Sequence, residues 1–284
     1  MLLEQIWKGL PQGLADEYVD ELILNGGFTG VLLKSGAMGV AMNVRSGTET
    51  DAQTREFLGT CIGQDCQDVC SRVFEKLGSV EKNTPERFLL NSILIAIFNA
   101  FSGKWFNEED MAKRGLKADI GAQGGPASTL KEGEVATIVG YGGMVRPMSK
   151  IAKKTFVTEL EPELFSSYRI TRDGIEKGPT CTTVVKSSEQ EKYFAQSDRV
   201  FVTGCTLVTD TMDDILSQCA GKHIVVYGAT AAFLPDVLFE NGVESVHTMV
   251  VTNTELMSDI LLNCAGAAER FFPMASQWVL IERK

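Results

Sequence analysis

Histidine is nearly absent from this chain: only His223 and His247 occur in 284 residues. Both stand at or within strand-like apolar runs, which leaves little material for a histidine-based catalytic set on a loop. The seven cysteines lack paired CxxC spacing and nearby histidines, the usual marks of zinc or iron–sulfur sites. Their odd number and their scatter through apolar segments suit free thiols in a reducing compartment. Cys66 and Cys70 share a helix face with Cys61 nearby, and this set reads as small buried hydrophobes. No metal site is therefore assigned. There is no GxSxG elbow, P-loop, HExxH or kinase signature, and no catalytic residue is assigned. No Lys/Arg run occurs and the net charge is −10, which argues against a nucleic-acid partner. The most apolar stretch, Phe88–Phe101, is interrupted by Asn91, Ser92 and Asn99 and falls short of the roughly twenty residues that span a bilayer. The N-terminus MLLEQIWKGL lacks the basic and apolar regions of a signal peptide. A cytoplasmic protein without a membrane partner is expected.

What is present is an ordinary globular composition, 44% hydrophobic and 23% charged. The N-terminal half mixes helices with one hairpin. Apolar spacing predicts helices at 2–10 and 16–24, strands on either side of Lys34–Ser35–Gly36, and a long amphipathic helix over 54–77 with a break at Gly63. Thr84 is placed to cap a helix with Pro85 at its first position, which then runs to about Phe101. That helix is apolar on most faces and should pack centrally. Asn91 and Asn99 lie along one of its faces. They are read either as lining an interdomain cleft or as bonding nearby backbone, Asn99 alternatively falling in exposed last turns.

The Gly-, Pro- and Ser-rich stretch 121–133 marks an expected boundary, dividing the chain into 1–125 and 126–284. Beyond it, apolar runs at 135–140, 156–160, 200–204, 224–228, 246–251 and 278–281 alternate with helical patterns at 144–153, 212–219, 233–240 and 255–264. Strands buried on both faces and separated by helices imply a parallel sheet. The fold class is α/β in two domains: a small α+β domain, then a Rossmann-like sheet.

Three strand-to-helix loops could bind a ligand. Gly140-Tyr141-Gly142-Gly143 follows a buried run, and Glu159 sits nineteen residues beyond Gly140, near the place of a ribose-binding acid in dinucleotide folds. Val145 breaks the full GxGxxG pattern, so a bare turn remains an alternative. Thr203-Gly204-Cys205-Thr206, with Thr209 and Thr211, offers hydroxyls and amides at a strand end; Thr209 or Thr211 would also cap the helix starting near Met212. Gly228-Ala229-Thr230 is the third. Together they would form a crevice at one sheet edge.

The segments SDRVFVTGCTLVTDTMDDIL and VVYGATAAFLPDVLFENGVESVHTMVV, with VGYGGMVRPMSK and the Thr158–Pro162 strand end, resemble the DUF364 family, labelled "putative heavy-metal chelation". NSILIAIFNA extends the resemblance to a first domain similar to the N-terminal domain of enolase, without the barrel that carries enolase chemistry. The resemblance implies a ligand surface at Gly140, Tyr141, Gly142, Glu159, Thr203, Gly204, Thr206 and Gly228. Thr209 departs from the Asn common in the family, which weakens the implication there. The leading expectation is binding of a small polar or metal-chelating ligand in the interdomain crevice, by a site that also includes Gly143, Thr209, Thr230 and Asn91. The alternatives are an enzyme with a nucleotide-type cofactor, nicotinamide or adenosyl, at Gly140–Gly143, and an assembly or sensor protein with a vestigial crevice. The cofactor, a metal ion or a nucleotide-type ligand, is left open, as is a homo-oligomer.

Overall fold

The structure is a computed structural model. It describes the backbone of residues 1–284 and every side chain except that of Ala265. The strands are β1 (Val19–Leu24), β2 (Phe28–Leu33), β3 (Met38–Met42), β4 (Leu116–Ile120), β5 (Val135–Val139), β6 (Lys154–Glu159), β7 (Ser167–Thr171), β8 (Gly174–Gly178), β9 (Thr183–Lys186), β10 (Arg199–Thr203), β11 (His223–Tyr227), β12 (Ser245–Val251) and β13 (Ser276–Arg283). β1–β2–β3 form an antiparallel meander in the first unit. The second unit holds an eight-stranded sheet in the order β4-β13-β12-β11-β10-β5-β6-β9. The six strands from β12 to β9 run parallel, while β13 and β4 are antiparallel additions. Numbered along the chain, the parallel strands lie 3-2-1-4-5-6, the order of dinucleotide-binding folds. The α/β, two-unit reading of the sequence is the observed fold.

Several local expectations change. Residues 16–24 are strand β1 after a single turn at Leu14–Asp16, not a helix. A register shift between Val19 and Glu21 breaks the strict alternation and leaves Val19 and Ile23 buried four apart, which imitates a helical period. The stretch 54–77 is two helices, Ala52–Gly59 and Cys66–Leu77, the second capped by the Asp65 carboxylate accepting from the Asp68 amide at 2.8 Å. Gly63 lies between them at φ +79. β4 and β9 join the large sheet although neither has a continuous apolar run, and the last strand, expected to be parallel, runs antiparallel to β12. The stretch 116–120, before the expected division at 125/126, is thus paired with β13, and one apolar core joins Ile6, Leu94 and Phe98 to Val202, Val226 and Ile281.

The helix Pro85–Ser102 organises the first unit. Thr84 Oγ1 accepts from the Arg87 amide at 3.3 Å, and Pro85 occupies the first turn. With the following turn to Trp105 the helix is twenty-one residues long and apolar enough to cross a membrane by length and composition, longer than the sequence reading allowed. Here most of it is buried in protein. β3 lies so close to it that a Cβ on Gly39 would stand 2.0 Å from the Ala96 carbonyl oxygen, so only glycine fits.

Arg87 and Asp210 form a nearly buried ion pair between the two units. Arg87 also donates to the Leu77 and Val80 carbonyls, both at 3.0 Å. Removing one member of a buried pair strands the other charge. Arg87→Met should therefore cost about 3–5 kcal/mol in urea unfolding. Adding Asp210→Asn, which tolerates the φ of +56 at that position, should recover part of the loss. Additive costs would contradict the pairing.

His247 on β12 is fully buried, stacks edge-on against Trp278 at 5.0 Å and, among the described residues, has no hydrogen-bond partner on either ring nitrogen. Burial lowers its pKa to about 4, against a weaker opposing pull from Asp119. The unfolded chain binds this proton first, so stability is full above about pH 6.5 and falls as pH drops toward 4. The loss attributable to this ring is of order 3 kcal/mol across that window. Urea midpoints from pH 4 to 7 should show a shallower acid slope in His247→Phe; an unchanged slope would refute the assignment.

Candidate functional site

The strand order reverses between β5 and β10, and the loops leaving their carboxyl ends diverge there. Gly140 follows β5 at φ +89, and a Cβ added to it would lie 3.2 Å from Thr203 Cγ2, so the two expected loops do meet. Glu159 closes β6, the neighbouring strand, and its carboxylate accepts from the Tyr141 amide. The Tyr141 ring stacks on Phe165 with centroids 4.9 Å apart. Gly142 and Gly143 are exposed, with open space where a Cβ would point. Gly140, Tyr141, Glu159 and Thr203 therefore form one half-open cluster.

The other expected residues are turned to packing. Thr206 Oγ1 donates to the Thr203 carbonyl at 2.8 Å and is nearly buried. The Thr209 and Thr211 hydroxyls lie 2.9 Å apart and reach the Thr206 carbonyl, so neither caps the helix at Met212 through its side chain. The Gly204 amide donates to the Tyr227 carbonyl and the Gly228 amide to the His247 carbonyl, which extends the sheet ladder beyond the strand ends. Thr230 Oγ1 accepts from the Met42 amide of the first unit at 3.1 Å. Asn91 is fully buried and donates to the Val208 carbonyl at 2.9 Å. Asn99 donates to the carbonyls of Val40, Ala229 and Thr230 and is not exposed in a last turn.

A narrow cleft with room for about one water lies between β3 and the ends of β11 and β12, walled in part by Met38, Met249, Met257 and Phe272. Asn99 lines it, and Asn99 Oδ1 has no partner among the described residues. Gly140, Tyr141 and Glu159 do not line it. The apolar cleft against the first unit and the polar cluster at the strand reversal are thus adjacent but separate, where the sequence reading merged them.

Sequence reasoning named Cys205 within the second loop without giving it a role, and passed over Tyr227 and Glu269. Burial raises the Tyr227 pKa, with smaller contributions from Cys205, Glu269 and Glu159. Burial also raises the Cys205 pKa, which hydrogen bonds from Thr203 and Thr230 partly offset. Cys205 lies in the second loop and Tyr227 ends the strand before the third, signals open to a position-by-position reading; Glu269 is brought in only by the tertiary fold. Among the described residues, no group of three or more His, Cys, Asp or Glu could hold a metal ion. Cys61, Cys66 and Cys70 are buried, and burial pushes the Cys66 thiol up to about 12. The helix after the glycine loop, Val145–Ser149, has only five residues, too short for the helix N-terminus to act as a strong anion site.

Backbone conformation separates the two glycines of the loop. Gly140→Ala places a side chain at positive φ and should cost about 1–2 kcal/mol. Gly142→Ala meets neither strain nor a neighbour and should leave stability within about 0.5 kcal/mol. Equal losses in thermal or urea unfolding would contradict this local geometry.

A family model, DUF364, described as "putative heavy-metal chelation", matches residues 127–281. No curated protein matches the chain significantly. A DUF364 protein of unknown function from Desulfitobacterium hafniense is 18% identical at a TM-score of 0.71, the match covering 99% of this chain and 96% of that one. Another from Pyrococcus horikoshii is 21% identical at 0.68, covering 99% and 100%. At these identities the likeness establishes the fold alone. L-talarate dehydratase from Polaromonas is 12% identical over 74% of this chain at a TM-score of 0.37, a likeness that carries no argument about this protein. Because the family model matches more than half of its length, the chain belongs to the DUF364 family.

Proposed function

We propose that the protein binds a small polar or metal-chelating ligand at the strand reversal, on the surface formed by Gly140–Gly143, Glu159 and Thr203. The observation that carries this reading is the meeting of the glycine loop, the acid closing β6 and the Thr203 strand end at the one point where neighbouring loops diverge. The exposed loop backbone leaves room for close approach of a ligand. The family label raises metal, but the donors present do not fit a bare ion: among the described residues no three of His, Cys, Asp or Glu converge, and burial raises the pKa of the Cys205 thiol. A chelate that carries its own donors suits the cluster better. No catalytic step is assigned to it.

A second reading has its own support. The 3-2-1-4-5-6 order with an acid at the end of the second strand is the arrangement that holds the ribose of nicotinamide or adenosyl cofactors. The short helix after the loop favours an adenosyl group without phosphates over a dinucleotide.

Thermal-shift measurements with zinc, nickel and ferric chlorides, their citrate complexes, NAD and S-adenosylmethionine would test both. A true ligand at a hundredfold excess over Kd stabilises by about 2.7 kcal/mol. A citrate chelate or S-adenosylmethionine should shift the parent, and Glu159→Gln and Gly142→Ala should reduce that shift. A shift by the bare ion alone, or one kept in both variants, would overturn the placement.

A further inference from the structure

The sheet register carries the strand-reversal surface beyond the glycine loop. Val202 pairs with Val139 and Val139 with Thr158, so the next residues, Thr203, Gly140 and Glu159, continue one row across the strand ends. Thr203 pairs in turn with Tyr227, which ends β11. Residues paired across parallel strands project on the same face of a sheet. Tyr227 is therefore the side chain next to Thr203 on the face that carries Glu159. Its ring packs in one cluster with Val145 and Met148 of the helix behind the glycine loop, and Tyr141 and Met144 lie against that cluster. Tyr227 is only 9% exposed. Its hydroxyl has no hydrogen-bond partner among the described residues, yet it is not sealed from solvent. A buried phenol usually finds a partner for its polar tip. This one is left open at the rim of the site.

A second carboxylate stands on the other side of the phenol. The segment Ala265–Met274 packs at the same strand ends, where Phe272 shares a cluster with Met249 and Ala229 lies against it. Glu269 projects from this segment into solvent. After burial, the charges of Glu269 and Glu159 both act on the phenol. Among the described residues neither carboxylate has an ion pair, and Lys186, paired with Glu159 at the outer end of the row, has none either. We infer that the strand-reversal site takes an organic ammonium ion, held by the Glu159 and Glu269 carboxylates with the Tyr227 phenol oxygen as the third acceptor. This rests on the ligand site proposed above and narrows its ligand to a cation. An ammonium group has three donors and no acceptor, which matches two carboxylates and a phenol oxygen. An anionic ligand would meet two unpaired like charges there.

Isothermal titration calorimetry of the full chain at low salt tests this with spermidine, S-adenosylmethionine, NAD and zinc citrate, since salt screens exposed charges. Spermidine or S-adenosylmethionine should bind at one site per chain, and NAD and zinc citrate should not. Tyr227→Phe and Glu269→Gln should each weaken that binding by about tenfold or more, the size expected for a hydrogen bond to a charged group. Neither side chain bonds another part of the protein through the group removed, so both variants should keep the parent's Tm. Failure of both ammonium ligands to bind overturns the inference. So does binding that survives Tyr227→Phe and Glu269→Gln; if it is nevertheless lost in Glu159→Gln and Gly142→Ala, the site stands and only its ammonium selectivity falls. Zinc citrate binding that is lost in those last two variants has the same meaning. Binding indifferent to all four variants overturns the site as well.

Discussion

The structure depends on a row of polar side chains along one buried helix. Arg87, Asn91, Asn99 and Ser102 recur at intervals that keep one face of Pro85–Ser102 toward the second unit. Asn91 and Asn99 donate to carbonyls of the loops that leave β10 and β11, and Ser102 Oγ accepts from the Leu234 amide at 3.1 Å. Loops at a sheet end carry backbone groups that the ladder cannot pair, and burying them unpaired is expensive. The helix supplies the missing partners. Apolar residues around the row form the shared core, so the two units bury a common surface instead of meeting as separate bodies.

That arrangement leaves the glycine loop open. The first unit's main contacts are with the segments after β10, β11 and β12. The ends of β5 and β6, with Gly140–Gly143 and Glu159, lie beyond the covered half of the edge. One edge of one sheet is thus divided: half is closed by the helix and spent on cohesion, and half stays exposed with its backbone available. Thr206, Thr209 and Thr230 fall in the closed half, which explains why hydroxyls that looked suited to a ligand instead bond backbone or one another.

The parallel strands were legible because burial on both faces writes continuous apolar runs: Val135–Val139, Arg199–Thr203 and His223–Tyr227 lie where those runs stand. The cap at Thr84 was legible because capping is local chemistry. β9 was not: Thr-Val-Val-Lys is short, and as an edge strand it needs no apolar run. β1 was misread because an irregular register broke its alternation. At the site, the proximity of Gly140 to Thr203 followed from parallel topology, which fixes the edge on which loops fall. The separation of the apolar cleft from the polar cluster was not legible, because it depends on how far the first unit extends along that edge.

The same division bears on chemistry. A metal site needs several donors that converge and are free to deprotonate. Here no group of three or more His, Cys, Asp or Glu converges among the described residues, and burial, with a smaller contribution from Glu269, raises the pKa of the Cys205 thiol. Each feature disfavours capture of a bare cation, while an exposed loop backbone suits a ligand recognised by shape and hydrogen bonds. The Tyr227 phenol, protonated because it is buried near negative charge, can donate a hydrogen bond but not serve as a base near neutral pH. The cluster is therefore better equipped to hold and orient a polar molecule than to activate one.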